Sequence, residues 1–225
     1  MIHFGVDAAF PFSIQSALAM RELGWEWLGM YVGGPRAMSR DAWHETANRH
    51  PVRDLQPAFN GFMPIYVGRN VGDDPNRPWD ALAAFTFEQG VIDGDEATVL
   101  TGACGFDRET PLCLDIEYNT WEQHPQATAR YVAGWVSVVN AAGHKAGIYA
   151  DRATVTALGR PELVDFVWCA YWRSRATGLQ QAPVGDYDPS WPPPWNIWQF
   201  GGSVIAGVSV DLNSLGEGLA LATYG

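Results

Sequence analysis

Two carboxylates, Asp115 and Glu117, stand two residues apart in one apolar run of the sequence. If the run is a β-strand, both side chains lie on the same face, with their Cα atoms about 6.5–7 Å apart. Two carboxylates in a confined site push their pKa values apart, so that one of them can stay protonated near neutral pH. General acid catalysis requires such a proton donor, and glycoside hydrolysis pairs it with a second carboxylate.

Two further acids, Asp7 and Asp211, end other apolar runs. An inward-pointing carboxylate is costly to bury unless it is paired or used. Any one of the four acids could be a solvated strand end or a helix cap, but together they predict a catalytic set. Other runs end in polar or aromatic side chains, which are candidate substrate-binding residues: Tyr31, Tyr66, Tyr149, Tyr171, Trp172 and Gln199.

Eight apolar runs of strand length alternate with segments of helical period, which predicts an α/β fold. The strands are predicted at residues 3–9, 27–32, 62–68, 112–118, 145–150, 165–172, 196–200 and 208–212. The helices are predicted at residues 13–23, 39–50, 79–89, 93–103, 126–142 and 151–158, with a break at Gly90 and a short helix closing the chain. A long loop over residues 173–195 has a length that is usually functional or mobile.

Eight strands in 225 residues match one (β/α)8 TIM-type barrel domain over residues 1–225, either regular or irregular. A doubly wound open sheet is the alternative. In a barrel, the carboxyl ends of the strands form the active face. Closure would place strand eight beside strand one, so that Asp7 and Asp211 would sit together and face Asp115 and Glu117.

The composition excludes several function classes. The net charge is −11, which argues against a surface for nucleic acid or anionic membranes. No apolar run approaches the roughly 18 residues of a membrane span. The three cysteines have unrelated spacings, which indicates free thiols rather than a disulfide framework or a zinc site. His44-Glu45 lacks the second histidine of a zinc-protease motif, and no phosphate-binding glycine loop is present, so we expect no metal and no cofactor.

Six short motifs occur in an order that resembles a known family. They are Gly5-Val6-Asp7, Leu114-Asp115-Ile116-Glu117, Gly147-Ile148-Tyr149, Ala170-Tyr171-Trp172, Trp198-Gln199-Phe200 and Val210-Asp211-Leu212-Asn213. The sequence resembles the family-25 glycoside hydrolases, the Chalaropsis-type lysozymes. It is more similar to a sister group, the glycoside-hydrolase-like domains of unknown function found in actinobacteria and their phages. After Asp7 it departs from the lysozymes, which usually continue with Ser and a Trp-Gln-Gly segment, whereas this chain has Ala8-Ala9-Phe10-Pro11.

The resemblance implies cleavage of the bond between N-acetylmuramic acid and N-acetylglucosamine in peptidoglycan. It implies that Glu117 is the general acid and that Asp7, Asp115 and Asp211 support it. Asp115 would orient the 2-acetamido group of the substrate if that group attacks the sugar carbon. Tyr149 and Tyr171 would hydrogen-bond to the sugar or stack on it, with Trp172 as a platform.

Three functions therefore remain open. The first is a cell-wall glycoside hydrolase, which the four acids favour. The second is a module on the same fold that holds a glycan in a cell envelope or phage particle without cutting it, and the third is an unrelated enzyme on an open sheet. For the first two we expect a monomer that binds polysaccharide outside the cell. The N-terminus shows no signal peptide, so this location would require a processed or phage-encoded form.

Overall fold

The computed structural model describes residues 2–38, 42–70, 82–117, 120–171, 178–183, 196–216 and 219–222. Trp172 and most of the predicted loop over residues 173–195 lie outside the described residues. The apolar runs of the sequence form eight strands: β1 His3–Ala8, β2 Trp27–Gly33, β3 Gly61–Val67, β4 Pro111–Asp115, β5 Lys145–Asp151, β6 Phe166–Ala170, β7 Ile197–Ile205 and β8 Val208–Leu215. The helices are α1 Ile14–Glu22, α2 Pro51–Leu55, α3 Phe87–Ala103, α4 Thr120–Gln123, α5 Pro125–Ala141 and α6 Arg152–Leu158.

The eight strands close into a barrel in chain order, from β1 to β8. Neighbouring strands from β1 to β7 are parallel, and helices α1 to α6 follow the first five of them. The predicted TIM-type α/β barrel is confirmed, and the open-sheet alternative is wrong because the last strand pairs with the first.

The barrel is irregular at its end, because β8 runs antiparallel to both of its neighbours, β7 and β1. The turn between β7 and β8 contains only Ala206 and Gly207, both with positive φ, at 49° and 80°. Two-residue turns with this backbone conformation join antiparallel strands, whereas parallel strands need a long crossover. The predicted strand 196–200 is therefore too short. The strand continues past Gly201-Gly202 through an irregularity in the pairing between Gln199 and Gly201.

The core has two layers, one on each face of the sheet. One layer fills the interior of the barrel, where the rings of Trp27 and Trp168 meet edge to face with centroids 5.7 Å apart. The other layer lies between the strands and the surrounding helices and contains most of the buried apolar residues. Successive side chains of a strand point to opposite faces, so the position of a residue in its strand decides which layer it enters.

The predicted helix over residues 39–50 is wrong for its described part. Residues 42–50 form turns, with a short antiparallel bridge between Thr46 and Arg49. The helix α2 begins at Pro51 instead, at a position where proline loses no intrahelical hydrogen bond.

The predicted break at Gly90 is also wrong, because α3 runs unbroken from Phe87 to Ala103. A Cβ atom on Gly90 would lie 2.1 Å from the carbonyl oxygen of Tyr131 in α5. Gly134 of α5 has the same relation to Phe87 of α3. The glycines thus allow the two helix backbones to pack closely, and this contact outweighs their low helix propensity.

Two smaller expectations fail at the edges of the described segments. The predicted helix over residues 79–89 contains only one turn of 3-10 helix, Leu82–Ala84, before Thr86 caps α3. The predicted closing helix is absent from the described residues after β8, where Ala222 pairs with Phe62. Within the described part of the chain, no helix has the length and apolar character needed to cross a membrane.

Candidate active site

The four predicted acids converge at one end of the barrel. Asp7 lies near the carboxyl end of β1 and pairs in register with Asp211 of β8. Asp115 ends β4, and Glu117 follows it in the loop. The expected proximity of Asp7 and Asp211 is observed, but the reason differs. Because β8 is reversed, its first half rather than its end lies at the mouth of the barrel.

Asp7 is a buried carboxyl held by two amides. Its Oδ2 accepts hydrogen bonds from Asn213 Nδ2 at 2.7 Å and from Gln199 Nε2 at 3.2 Å. Trp168 Nε1 donates to Asn213 Oδ1 at 3.0 Å, and the Tyr149 hydroxyl donates to Gln199 Oε1 at 2.8 Å. The two rings thereby fix the orientation of both amides, so that each presents its NH2 group to Asp7.

Burial, followed by the nearby charge of Asp211, raises the pKa of Asp7 from 3.8 to about 8. Burial and the charge of Glu117 raise the pKa of Asp211 to about 6. Of these two acids, Asp7 is therefore the one that keeps its proton near neutral pH. The same burial and negative charges raise the pKa of Tyr31 and of Tyr149, so both phenols keep their protons.

Asp115 and Glu117 share one guanidinium, that of Arg36. Arg36 lies 3.2 Å from Asp115 Oδ1 and 3.1 Å from Glu117 Oε2, and it also donates to the carbonyl oxygens of Asp115 and Gly68. Burial raises the pKa of Asp115 to about 7, although Arg36 acts to lower it. Burial alone would lower the pKa of Arg36, but the two carboxylates raise it above its usual value.

Glu117 is the more accessible member of the pair. Its side chain is 35% exposed, whereas that of Asp115 is 4% exposed. The backbone N–H of Glu117 donates to Oδ1 of the buried Asn70 at 3.0 Å. Asn70 follows Arg69, whose guanidinium is bound at 2.6 Å by the buried Asp93 of α3. The loop after β3 therefore holds the backbone of Glu117 in place.

Five of the six candidate binding residues divide into three groups. Tyr31, Tyr149 and Gln199 lie at the mouth, within the field or the hydrogen-bond network of the acids. Tyr171 lies at the end of β6, 43% exposed, with the guanidinium of Arg152 5.6 Å above its ring, and it makes no contact with the four acids among the interactions of the described residues. Trp172 lies outside the described residues.

The prediction that Tyr66 binds substrate at the mouth of the barrel is wrong. Its side chain is fully buried between the barrel and α3, and its hydroxyl donates to Glu96 Oε2 at 2.6 Å. Its neighbour Ile65 points into the barrel interior instead. Because consecutive strand residues face opposite sides, Tyr66 cannot reach the mouth of the barrel.

A cleft of about 510 Å³ opens beside Asp7 and Asp211. We call it the acidic cleft, and it is lined by residues 7–12, Tyr31, Met38 and residues 207–211. One wall is the loop after β1, with Phe10 44% exposed, and the opposite wall is the β7–β8 hairpin. Its volume lies within the range of about 300–1,000 Å³ that is typical of small-molecule sites. No cluster of acidic, histidine or cysteine side chains suited to a metal ion occurs among the described residues.

Three site residues were missed at the level of sequence. Asn213 stands two residues after Asp211 and so shares its face of the strand, which is a signal that the sequence does contain. Arg36 and Asn70 lie in the loops after β2 and β3, where no periodicity marks them. Their roles follow from contacts that are distant in sequence. The partners of Arg36 lie 79 and 81 positions further along the chain, and the partner of Asn70 lies 47 positions further along.

Comparison with known proteins identifies a family. The family model of the Rv2525c-like, glycoside hydrolase-like domain matches residues 18–213. No curated protein sequence matches the chain.

The fold is shared with several solved structures. The Tat-secreted protein Rv2525c of Mycobacterium tuberculosis is 20% identical, with a TM-score of 0.67 over 98% of each chain. A lysozyme from Streptomyces coelicolor is 18% identical, with a TM-score of 0.60 over 97% of this chain and 93% of its own.

The modular autolysin LytC from Streptococcus pneumoniae, in complex with a synthetic peptidoglycan ligand, is 13% identical, with a TM-score of 0.58 over 95% of this chain and 46% of its own. The resemblance predicted from the motifs is thus confirmed. The chain belongs to the family of Rv2525c-like, glycoside hydrolase-like domains.

Proposed function

We propose that the protein is a glycoside hydrolase that cleaves peptidoglycan between N-acetylmuramic acid and N-acetylglucosamine. The observation that carries the proposal is the convergence of Asp7, Asp115, Glu117 and Asp211 at the mouth of the barrel, beside an open cleft. A structural role alone would not gather four acids in a place where burial makes them costly. The barrel shared with a lysozyme and with a peptidoglycan-bound autolysin supports the choice of substrate.

The accessibility of the carboxyls suggests how the roles divide. Glu117 is exposed enough to reach a glycosidic oxygen, so it would donate its proton to the leaving oxygen as the glycosidic bond breaks. Asp115 is more buried than Glu117, and it would orient the 2-acetamido group, whose oxygen attacks the sugar carbon. A water molecule, deprotonated by Glu117, would then open the resulting ring with net retention of configuration. Substrate assistance of this kind is a known exception to the scheme with two catalytic carboxylates.

Arg36 gives the main reason to consider a second function. It forms ion pairs with both Asp115 and Glu117, so the two carboxylates are bound to a shared cation. A proton donor must leave such an ion pair before it can act. A glycan-binding module on the same fold would have no such requirement, and it remains the alternative.

The decisive experiment compares the release of muropeptides and reducing ends from purified peptidoglycan by the wild type and by Glu117→Gln. A matched control is Glu162→Gln, which changes one exposed carboxylate that lies 3.8 Å from Arg160. We expect release by the wild type and the control and a loss of at least about a hundredfold in Glu117→Gln. Equal activity of all three proteins would refute the role of Glu117. Sedimentation of all three with the wall, without release by any, would establish the binding module instead.

A further inference from the structure

The described lining of the acidic cleft contains an anion without a counter-charge. Within the described part of the chain, no side chain donates a hydrogen bond to the carboxylate of Asp211 or forms an ion pair with it, although this residue is only partly exposed. Asp7 stands opposite it on β1, and Glu117 adds to the negative potential. The described lining of the cleft contains no lysine and no arginine, and Arg36 is engaged by Asp115 and Glu117.

The same cleft also has an apolar wall. Phe10, Phe12, Val208 and Val210 line it together with the two acids. An inorganic cation would gain nothing from this wall, and no group of residues suited to a metal ion is found in the described structure. A ligand that combines a ring with a positive charge would satisfy both parts of the lining, because burial of an anion becomes favourable once it is paired.

We propose that the acidic cleft binds a hexosamine unit whose 2-amino group is not acetylated. The ammonium group pairs with Asp211, and a face of the sugar ring packs on Phe10. This inference rests on the proposed function, since it takes the ligand to be a glycan. It extends that function by specifying the acetylation state of the glycan that the protein recognises. The lining of the cleft includes neither Asp115 nor Glu117, so the acetamido group required near Asp115 would belong to a neighbouring sugar.

The test measures binding of three probes by calorimetry near neutral pH, in the Glu117→Gln background so that no probe is hydrolysed. The probes are the glucosamine trimer, the N-acetylglucosamine trimer and a lysine tripeptide that matches the charge of the first. We expect the glucosamine trimer to bind about tenfold more tightly than either of the others, as one charge-assisted contact to a partly buried partner would give.

Three further variants locate the site. Asp211→Asn should abolish the preference for the glucosamine trimer, whereas Asp95→Asn, which removes one exposed acid from α3, should preserve it. Phe10→Ala should weaken both trimers about equally, since it removes ring packing and leaves the charge. If both aspartate variants weaken binding alike, the trimer is only attracted by the net charge of −11, and the inference is refuted.

The remaining outcomes are also informative. Equal affinity for the two trimers, or tighter binding of the lysine tripeptide, would overturn the inference. Because binding is measured without turnover, a preference that depends on Asp211 would stand even if no muropeptides are released from peptidoglycan. In that case the proposed hydrolysis fails and the cleft belongs to a binding module. Conversely, release of muropeptides with no preference between the trimers would leave the hydrolase and refute the cleft specificity.

Discussion

Asp7 should make the protein less stable as the pH rises, and Asp7→Asn should remove that loss. The pKa of Asp7 is raised in the folded protein from 3.8 to about 8, first by burial and then by Asp211. The folded state therefore binds this proton more tightly than the unfolded state does. The stability that protonated Asp7 contributes is fully present below about pH 4 and is lost progressively as the pH rises to about 8.

The structure sets the size of the effect. One unit of pKa shift corresponds to about 1.4 kcal/mol, so a shift of about four units limits the loss to about 5 kcal/mol between pH 4 and pH 8. Partial relaxation and water entry at high pH would reduce it, and we expect about 2–5 kcal/mol. Asparagine suits the site, because both donors, Asn213 and Gln199, bond to the same oxygen of Asp7. The amide oxygen of the variant can accept both bonds while its NH2 group takes the other position.

The measurement is the free energy of unfolding by urea from pH 4.5 to pH 8.5 for the wild type, Asp7→Asn and the exposed control Asp95→Asn. We expect Asp7→Asn to match the wild type at the acidic end and to be more stable by about 2–5 kcal/mol at the alkaline end. Using the difference between the proteins cancels the titration of the acids that do not interact with Asp7. The reasoning fails if Asp7→Asn is less stable than the wild type at every pH, or if its stability falls with pH as steeply as that of the wild type.

Two other predictions test the packing and the charge of the site. Gly90→Ala should destabilise the protein by about 1–3 kcal/mol, because its Cβ would lie 2.1 Å from a backbone oxygen of α5. The control Gly102→Ala, in the same helix with no atom within 4 Å of its Cβ, should be neutral or stabilising by up to about 1 kcal/mol, and thermal unfolding of both variants distinguishes them. Arg36→Met should raise the pKa of Asp115 above about 7, since it removes the cation that lowers it. Carboxyl carbon NMR titration measures this without any assay of activity, and an unchanged or lower value would contradict it.

The acids were predictable from sequence because strand periodicity carries them. Asp115 interrupts an apolar run, and Asp7 ends another. Each aspartate therefore stands out from its apolar neighbours without any tertiary information. Tyr66 was not assignable in this way. All seven residues of β3 are buried, and a strand buried on both faces shows no alternation of polar and apolar residues. Its side facing the helices and its side facing the interior can therefore be told apart only from the packed structure.

Arg36 illustrates a different obstacle. It follows Gly33-Gly34-Pro35, a segment that indicates a turn and nothing more. Its acceptors belong to β4 and to the loop after β3, and the ion pair with Glu117 spans 81 positions. Whether a loop arginine is solvated or engaged in the site depends on the path of that loop over the mouth of the barrel. Local sequence does not fix this path, although the resulting ion pairs govern the charge of the whole site.

The position of Asp211 beside Asp7 is predicted correctly, although the end and the direction of its strand are not. Strand eight was expected to end at residue 212 and to bring Asp211 to the mouth as a strand end. The actual strand continues to Leu215 and runs in the opposite direction, so Asp211 is brought to the mouth from the beginning of β8.

The reversed direction of β8 also shapes the acidic cleft. It places the β7–β8 hairpin at the same end of the barrel as Asp211, where residues 207–211 form one wall of the acidic cleft. A parallel strand would have entered from the opposite end and left Asp211 without that wall. The two-residue turn at Ala206-Gly207 is therefore the local feature on which the cleft, and the ligand chemistry inferred for it, depends.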